Sequence, residues 1–189
     1  DENTEAVLAR LLPEVLSAFR ATALIVGIGE LQYLGCVTQA AASAEEVTRE
    51  VAALIGTAAP DGVLKRSELL TPGGAALKTL PLAAGLLAVH RWDEPAEICA
   101  FTRPEIALEV SWAGKPVKRS VTAPDGRVRL EPRRSFDLWK ETIRGTARAW
   151  SPTEAGACER LLRILSDACK RREHKLLEFE LRFRAHHDH

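Results

Sequence analysis

The residue types best suited to chemistry in this 189-residue chain are concentrated in one basic segment, residues 115–148. This basic segment has ten basic and four acidic residues, whereas the whole chain has 26 of each. Arginines can bind phosphates and tryptophans can stack on bases, and three of the four tryptophans lie in or near the segment: Trp112, Trp139 and Trp150. Nucleic-acid binding is one interpretation, although the neutral overall charge argues against it. The other interpretation is that most of these arginines are exposed to solvent and that one or two of them bind a carboxylate of a partner.

Other catalytic and metal-binding motifs are weak or absent. Gly27-Ile28-Gly29 follows an apolar run, but Gln32 stands where a dinucleotide fingerprint needs its third glycine. The sequence has no G-x-S-x-G, no G-K-[ST] phosphate loop and no H-E-x-x-H. The end of a helix explains the C-terminal histidines more simply than a metal site does: His186, His187 and His189.

Composition predicts a folded cytoplasmic domain. Hydrophobic residues make up 46% and charged residues 28%, which is typical of globular proteins. The longest apolar run, residues 80–89, is too short to span a membrane. No C-x-x-C spacing relates the four cysteines, which favours reduced core thiols: Cys36, Cys99, Cys158 and Cys169. Because the chain starts at Asp1 and has no methionine, we expect it to be a segment of a longer protein.

The periodicity of apolar residues predicts the elements that position the basic segment. Residues 5–19 favour a helix despite Pro13, and residues 23–28 and 31–37 favour a β-hairpin. Ser43 and Glu46 form a capping box that starts a second helix, which Gly56 ends. We expect a short strand within residues 63–70, one helical turn after Gly74, and strands at 83–92 and 97–103. This order is typical of an α+β domain, an antiparallel sheet flanked by helices.

A long helix is predicted from Ser151 to the end of the chain. Ser151 is the N-cap, Pro152 the first helical residue and Glu154 the third. Heptad spacing indicates a parallel dimeric coiled coil in which Arg172 interrupts an otherwise largely apolar seam. A single amphipathic helix packed on its own domain is the alternative. The seam positions are Leu162, Leu165, Cys169, Arg172, Leu176, Phe179, Phe183 and His186.

A hairpin turn is predicted within the basic segment. Pro124-Asp125-Gly126 is a hairpin-turn signal, with Val121 before it and Val128-Arg129-Leu130 after it.

Four sequence motifs closely resemble the PHY domain of bacterial phytochromes. They are F-T-R-P-E at 101–105, W-A-G-K-P at 112–116, P-R-R-S-F-D-L-W-K-E at 132–141, and R-G through W-S-P at 144–152. The resemblance extends from about residue 21 to the start of the last helix. It implies a GAF-like α+β domain at 21–150, with a hairpin extension, the tongue, at about 104–150. Residues 1–20 would be a linker helix from an upstream GAF domain, and 151–189 a signalling helix.

The resemblance also implies roles for single residues of the tongue. Arg133 would pair with a GAF aspartate beside the chromophore in the dark-adapted state, and Ser135 would join the photoactivated contact. Trp112 and Trp150 would exchange places when the tongue refolds between a β-hairpin and a helix. The sequence is compatible with both states, because residues 135–143 could also form a helix. An acidic residue that the family often has after the last tryptophan is Pro152 here, and Glu154 is the candidate substitute. The other motif residues that we assign to the GAF contact are Gly114, Pro132 and Phe136.

By the same resemblance, the chain is a non-enzymatic signalling module of a red/far-red photoreceptor. Biliverdin would be held by an upstream PAS–GAF module, and this segment would bind no cofactor. Residues 181–189 resemble the helix that enters a GGDEF diguanylate cyclase, with a histidine kinase as the alternative effector. We expect a homodimer through the terminal helices, with no nucleic-acid or membrane partner. The rival interpretation is a GAF-like domain that senses a small molecule in its own pocket.

Overall fold

The computed structural model describes residues 3–37, 42–56, 61–71, 74–92, 96–106, 108–113, 120–122, 128–130, 138–143 and 145–187. The chain divides into two compact units. The first unit consists of Asp1–Glu105 and Gly145–His189, and the second unit is Ile106–Arg144.

The first unit is built on a five-stranded antiparallel sheet, which confirms the α+β prediction. The sheet strands are β1 (Ala23–Ile28), β2 (Leu31–Cys36), β3 (Gly62–Arg66), β6 (Ala83–Arg91) and β7 (Glu97–Pro104). Their order in the sheet is β2-β1-β7-β6-β3, so β1, β7 and β6 are the inner strands. Inner strands that are covered on both faces have continuous apolar runs, as β1 does.

Helices cover both faces of this sheet. Side chains alternate between faces along a strand, so β1 contributes Leu24, Val26 and Ile28 to one core cluster and Ala23 and Ile25 to another. The first cluster is completed by α1 (Thr4–Phe19) and α3 (Pro152–His187), and the second by α2 (Ala44–Ile55). The two terminal helices therefore share one face of the sheet.

The predicted start and end of α2 are confirmed. The Ser43 hydroxyl accepts a hydrogen bond from the Glu46 amide at 3.2 Å, and the Glu46 carboxylate accepts one from the Ser43 amide at 2.8 Å. Gly56 ends the helix with a φ of 84°. Helix α1 also matches its prediction and contains Pro13.

The predicted helical turn after Gly74 is wrong. Residues 76–82 form bends and turns, preceded by the short paired strands β4 (Leu70–Thr71) and β5 (Gly74–Ala75). The amides of Lys78 and Thr79 donate hydrogen bonds to the Glu50 carboxylate instead of to carbonyl groups of a helical turn. Leu77 is buried in the core, which holds this stretch against the sheet instead of in a helical turn.

The second unit contains two antiparallel strand pairs. Strand β8 (Leu108–Ala113) pairs with β11 (Leu138–Ile143), and β9 (Ser120–Thr122) pairs with β10 (Val128–Leu130). The alternative helix over residues 135–143 is therefore not the conformation of residues 138–143 here.

Candidate functional site

The structure places the predicted tongue residues in different parts of the molecule. Trp112 lies in β8, where its Cα is paired with that of Trp139 in β11. Trp150 lies in the first unit, close to the start of α3, and is 8% exposed. The remaining assigned residues lie outside the described ranges, so their roles stay predictions: Gly114, Pro132, Arg133, Ser135 and Phe136.

The strands on either side of the predicted turn do pair with each other. The register places Thr122 opposite Val128 and Ser120 opposite Leu130, so the connection between the two strands contains Pro124-Asp125-Gly126. The turn residues themselves, 123–127, lie outside the described part of the chain.

Arg103, near the end of β7, makes five side-chain hydrogen bonds to described residues of the first unit. Its side chain is only 2% exposed, although arginine is rarely buried without partners. Its Nε and Nη2 donate to the Phe19 carbonyl at 3.1 and 2.6 Å, and Nη1 donates to the carbonyls of Arg148 and Ala149 at 3.2 and 3.0 Å. Nη2 also donates to Glu154. A guanidinium has five N–H groups, so all of its donors are used.

Trp150 completes this site by covering the guanidinium. The Cζ atom of Arg103 lies 3.6 Å from the centroid of the indole ring, within the range of a cation–π interaction. One buried cation on β7 therefore contacts three other parts of the chain: the end of α1, the return segment (residues 145–150) and the first turn of α3. We call Arg103, Trp150 and Glu154 the arginine junction.

Glu154 has two roles in the arginine junction. It caps α3, because its carboxylate accepts from the Ser151 amide at 2.8 Å while the Ser151 hydroxyl accepts from the Glu154 amide at 3.2 Å. The same carboxylate pairs with Arg103. Burial raises its pKa, but the hydrogen bonds from Ser151 and the bond and charge of Arg103 outweigh burial and hold the pKa below its ordinary value.

The residues that flank the second unit in sequence are bonded to each other and to the sheet within the first unit. The Gly145 amide donates to the Glu105 carboxylate at 2.5 Å, which joins the residues that flank the second unit. The Ala147 amide donates to the Ser67 carbonyl at 2.7 Å. Gly85 in β6 makes room for this segment, because a Cβ there would lie 2.7 Å from that of Ala147. The return segment is therefore packed directly on the sheet before it enters α3.

A second polar cluster attaches α3 to the other end of β7. Glu97 is 1% exposed, accepts from the Ser166 hydroxyl at 2.6 Å, lies 3.5 Å from the Lys170 Nζ and pairs with Arg91. Burial raises the pKa of Glu97, but Ser166, Arg91 and Lys170 together hold it below its ordinary value. Helix α3 is therefore attached to β7 at two points. Glu154 of the helix pairs with Arg103 near the end of the strand, and Glu97 at the start of the strand contacts Ser166 and Lys170 of the helix.

These two carboxylates predict a loss of stability in acid. A carboxyl group whose pKa is lower in the folded state stabilises the fold above its unfolded pKa, near 4.5, and loses that contribution as pH falls through the folded pKa. We expect the free energy of unfolding to fall as the pH drops below about 5 and through the lowered folded-state pKa of each carboxyl group, and Glu97→Gln to flatten this dependence. Urea titrations at several pH values measure it. Glu45→Gln, which removes an exposed ion pair with Arg49, is the control. If the free energy of unfolding of Glu97→Gln depends on pH as steeply as that of the unsubstituted protein, Glu97 does not contribute to the acid sensitivity.

The predicted heptad seam of α3 divides into two parts. Leu162 and Leu165 are 2% and 6% exposed, and both lie in this chain's own core cluster with Cys169 packed against it. Leu176 and Phe179 are 57% and 69% exposed, and Phe183 is 55% exposed. The first part of the seam is therefore covered by the chain's own sheet, as in the alternative of a helix packed on its domain.

Other binding features are few in the described residues. No group of three or more His, Cys, Asp or Glu side chains there is arranged for a metal ion, and none of the described helices has the length and apolar character to cross a membrane. A cavity of about 680 Å³ lies beside the ends of β1, β2 and β7. Its lining is mainly apolar, and Lys78 is its one basic side chain among the described residues. Burial raises the pKa of the Cys36 thiol at its wall.

Sequence reasoning did not identify Arg103 as a site residue, although it lies in the F-T-R-P-E motif. A signal was present, because Arg103 follows the apolar run Ile98–Phe101 by only two positions. A charged residue that close to a buried strand needs partners in the fold. The suggestion that Glu154 supplies the acidic contact near the last tryptophan agrees with its pairing to Arg103 under Trp150.

Comparisons with known proteins identify the family. Residues 1–174 match the family described as PHY, the phytochrome region. A bacteriophytochrome of Xanthomonas campestris is 39% identical over 93 residues, which are 49% of this chain and 14% of that protein. A bacteriophytochrome of Pseudomonas aeruginosa is 34% identical over 85 residues, 45% of this chain and 12% of that protein. The chain therefore spans a small part of each.

Solved phytochrome structures have a fold similar to that of this chain. The crystal structure of a bacteriophytochrome from R. palustris has a TM-score of 0.68 at 24% identity, covering 91% of this chain and 34% of that chain. The photosensory core module of a Stigmatella aurantiaca phytochrome has a TM-score of 0.57 at 25% identity, covering 87% of this chain and 32% of that one. Since the family match covers nearly the whole chain and the fold is that of solved bacteriophytochromes, this chain belongs to the PHY family, the phytochrome region.

Proposed function

We propose that this chain is the signal-relaying part of a cytoplasmic red/far-red photoreceptor that contains biliverdin. The observation that carries the proposal is the path of the chain. The second unit leaves the first at Glu105 and returns at Gly145, and the return segment leads directly into the 36-residue helix α3. A change of conformation in the second unit is thus connected to an output helix through seven residues, 145–151.

Biliverdin would supply the absorption of light and would be bound upstream, in a PAS–GAF module. The cavity in the first unit does not suit it, because a bilin carries two propionates and Lys78 is the one basic side chain described in the lining. The residues of this chain would act through the tongue. Arg133 would hold a GAF aspartate in the dark-adapted state, and release of that contact would free the tongue to refold, with Ser135 in the new contact.

Refolding would change the length of the second unit. Six residues of strand β11 span about 20 Å, whereas the same residues in a helix span about 9 Å. Such a shortening pulls on the return segment and hence on the start of α3. A switch of this kind needs different contacts in its two states, which Arg133 and Ser135 would supply.

Arg133→Ala in the complete photoreceptor tests this role. We expect the photoproduct yield or its dark reversion rate to change by about tenfold, because loss of a charge-assisted bidentate contact costs more than about 1.4 kcal/mol. Absorption spectroscopy after red illumination measures both. Arg134→Ala removes the same charge from the neighbouring position and is the matched control. Unchanged yield and reversion in Arg133→Ala would remove the assignment.

A homodimer through the terminal helices is the second part of the proposal. It is supported by the exposed seam positions Leu176 and Phe179, which lie beyond the part of α3 that its own sheet covers. The seam would deliver the signal to a C-terminal effector, a diguanylate cyclase in preference to a histidine kinase.

Charges in this seam are expected to dissociate the dimer. Leu176→Glu with Phe179→Glu would weaken dimerisation by about a hundredfold or more, because unpaired carboxylates would be buried between the helices. Leu177→Glu with Leu181→Glu is the matched control, since both leucines are exposed but lie outside the heptad seam. Analytical ultracentrifugation of the chain measures the dissociation constant. Equal weakening by both pairs would argue against the assigned seam.

Small-molecule sensing is the rival function, and the 680 Å³ cavity is the observation that favours it. Titration of the chain with cyclic nucleotides and with biliverdin separates the two functions. The relay proposal predicts no tight binding of either ligand, and saturable binding of one of them would favour the rival.

A further inference from the structure

We propose that Arg103 is the residue that couples the return segment to α3, so that movement of the tongue reaches the output helix through the arginine junction. The inference rests on the proposed function and adds to it the specific side chain through which the signal passes. Arg103 would be a positioning residue, since it lies in the first unit and acts through the segments that it joins.

The first argument is the origin of the contacts. The acceptors of Arg103 are the carbonyls of Phe19, Arg148 and Ala149 and the carboxylate of Glu154, which are 45 to 84 residues away in sequence. Movement of the return segment changes the partners of Nη1, while Nη2 is still bonded to α1 and α3. One rigid planar group therefore connects the segment that would receive the pull to the helix that would transmit it.

The second argument is burial. Because the Arg103 side chain is 2% exposed, water cannot easily replace a lost partner, and each unmade hydrogen bond costs free energy. A displaced return segment would leave the guanidinium unsatisfied unless Arg103, α1 or α3 moved with it. An exposed pair such as Arg49 with Glu45 imposes no such requirement, because water satisfies either group.

The third argument is the two-point attachment of α3. Glu154 holds its first turn and Glu97 holds it about three turns later, through Ser166 and Lys170. A force applied at the arginine junction therefore acts at one end of a helix whose middle is attached to β7. The expected response is a tilt or rotation of α3 about the Glu97 cluster.

Arg103→Met in the biliverdin-loaded full-length photoreceptor tests the inference by hydrogen–deuterium exchange in the dark and after illumination. We expect the light-induced exchange difference in residues 106–144 to persist and the difference in α3 to fall by about tenfold. Arg103→Lys keeps the charge but loses the planar guanidinium, so it should recover only part of the exchange difference in α3. Arg49→Met is the matched control and should leave both differences unchanged.

If Arg103→Met does not fold, Glu154→Gln provides a second test. Glutamine can keep the capping box of α3, but it removes the ion pair with Arg103. It should reduce the α3 response and keep the tongue response. A full α3 response in a folded Arg103→Met or in Glu154→Gln overturns the coupling role and leaves the proposed function intact. If the wild-type photoreceptor shows no light-induced spectral change, the proposed function fails, and the inference fails with it.

Discussion

Replacing Gly145 by alanine is expected to destabilise the protein by about 3 kcal/mol or more, because two penalties combine at this position. Gly145 has a φ of 82°, a conformation that L side chains rarely adopt. An added Cβ would also overlap the carbonyl oxygen of Leu70, which belongs to the backbone and has little freedom to move away. Since the Gly145 amide donates to Glu105, the substitution would also disturb the hydrogen bond between these two residues of the first unit.

Gly56 is a matched control for this prediction. It has nearly the same φ, 84°, but an added Cβ there would meet nothing within 4 Å. Gly56→Ala therefore measures the backbone penalty alone, about 1 kcal/mol. Thermal unfolding should show a melting temperature lower by about 6–12 °C for Gly145→Ala and by about 2–4 °C for Gly56→Ala. Equal shifts would mean that the contact with Leu70 relaxes without cost.

Phe101→Ala is expected to cost about 3–5 kcal/mol, the range for deleting a buried aromatic side chain. Phe101 is fully buried in β7, and its ring stacks on that of Phe19 with centroids 3.9 Å apart and planes 8° apart. The cavity would open between the sheet and the end of α1, next to the carbonyl of Phe19 that Arg103 binds. The substitution would therefore weaken both the core and the arginine junction.

Urea denaturation measures this loss of stability. Phe101→Leu, which refills part of the space, should cost clearly less than Phe101→Ala. Leu82→Ala removes a large apolar side chain that is 74% exposed and should change the free energy of unfolding by less than about 0.5 kcal/mol. If Phe101→Ala and Leu82→Ala had similar effects, the packing between α1 and β7 described here would be incorrect.

Local signals in the sequence predict much of this fold. The capping residues Ser43 and Ser151, each with a glutamate three positions later, mark the starts of α2 and α3 because the reciprocal hydrogen bonds need only neighbouring residues. Apolar runs predict the strands β1, β6 and β7, and the structure shows that these three are inner strands covered on both faces. The failure after Gly74 has a long-range cause, the capture of the Lys78 and Thr79 amides by Glu50.

The sequence by itself determined the α+β class, the helix caps and the motifs that resemble the PHY domain, because each depends on residues that are close together in the chain. Only the tertiary structure decided the burial of Arg103, whose partners come from α1, the return segment and α3. It also decided that Leu162 and Leu165 face the chain's own core while Leu176 and Phe179 stay exposed. Heptad spacing is the same in both halves of α3, so the sequence does not distinguish them. The sheet covers only the first half, because it does not extend to the second.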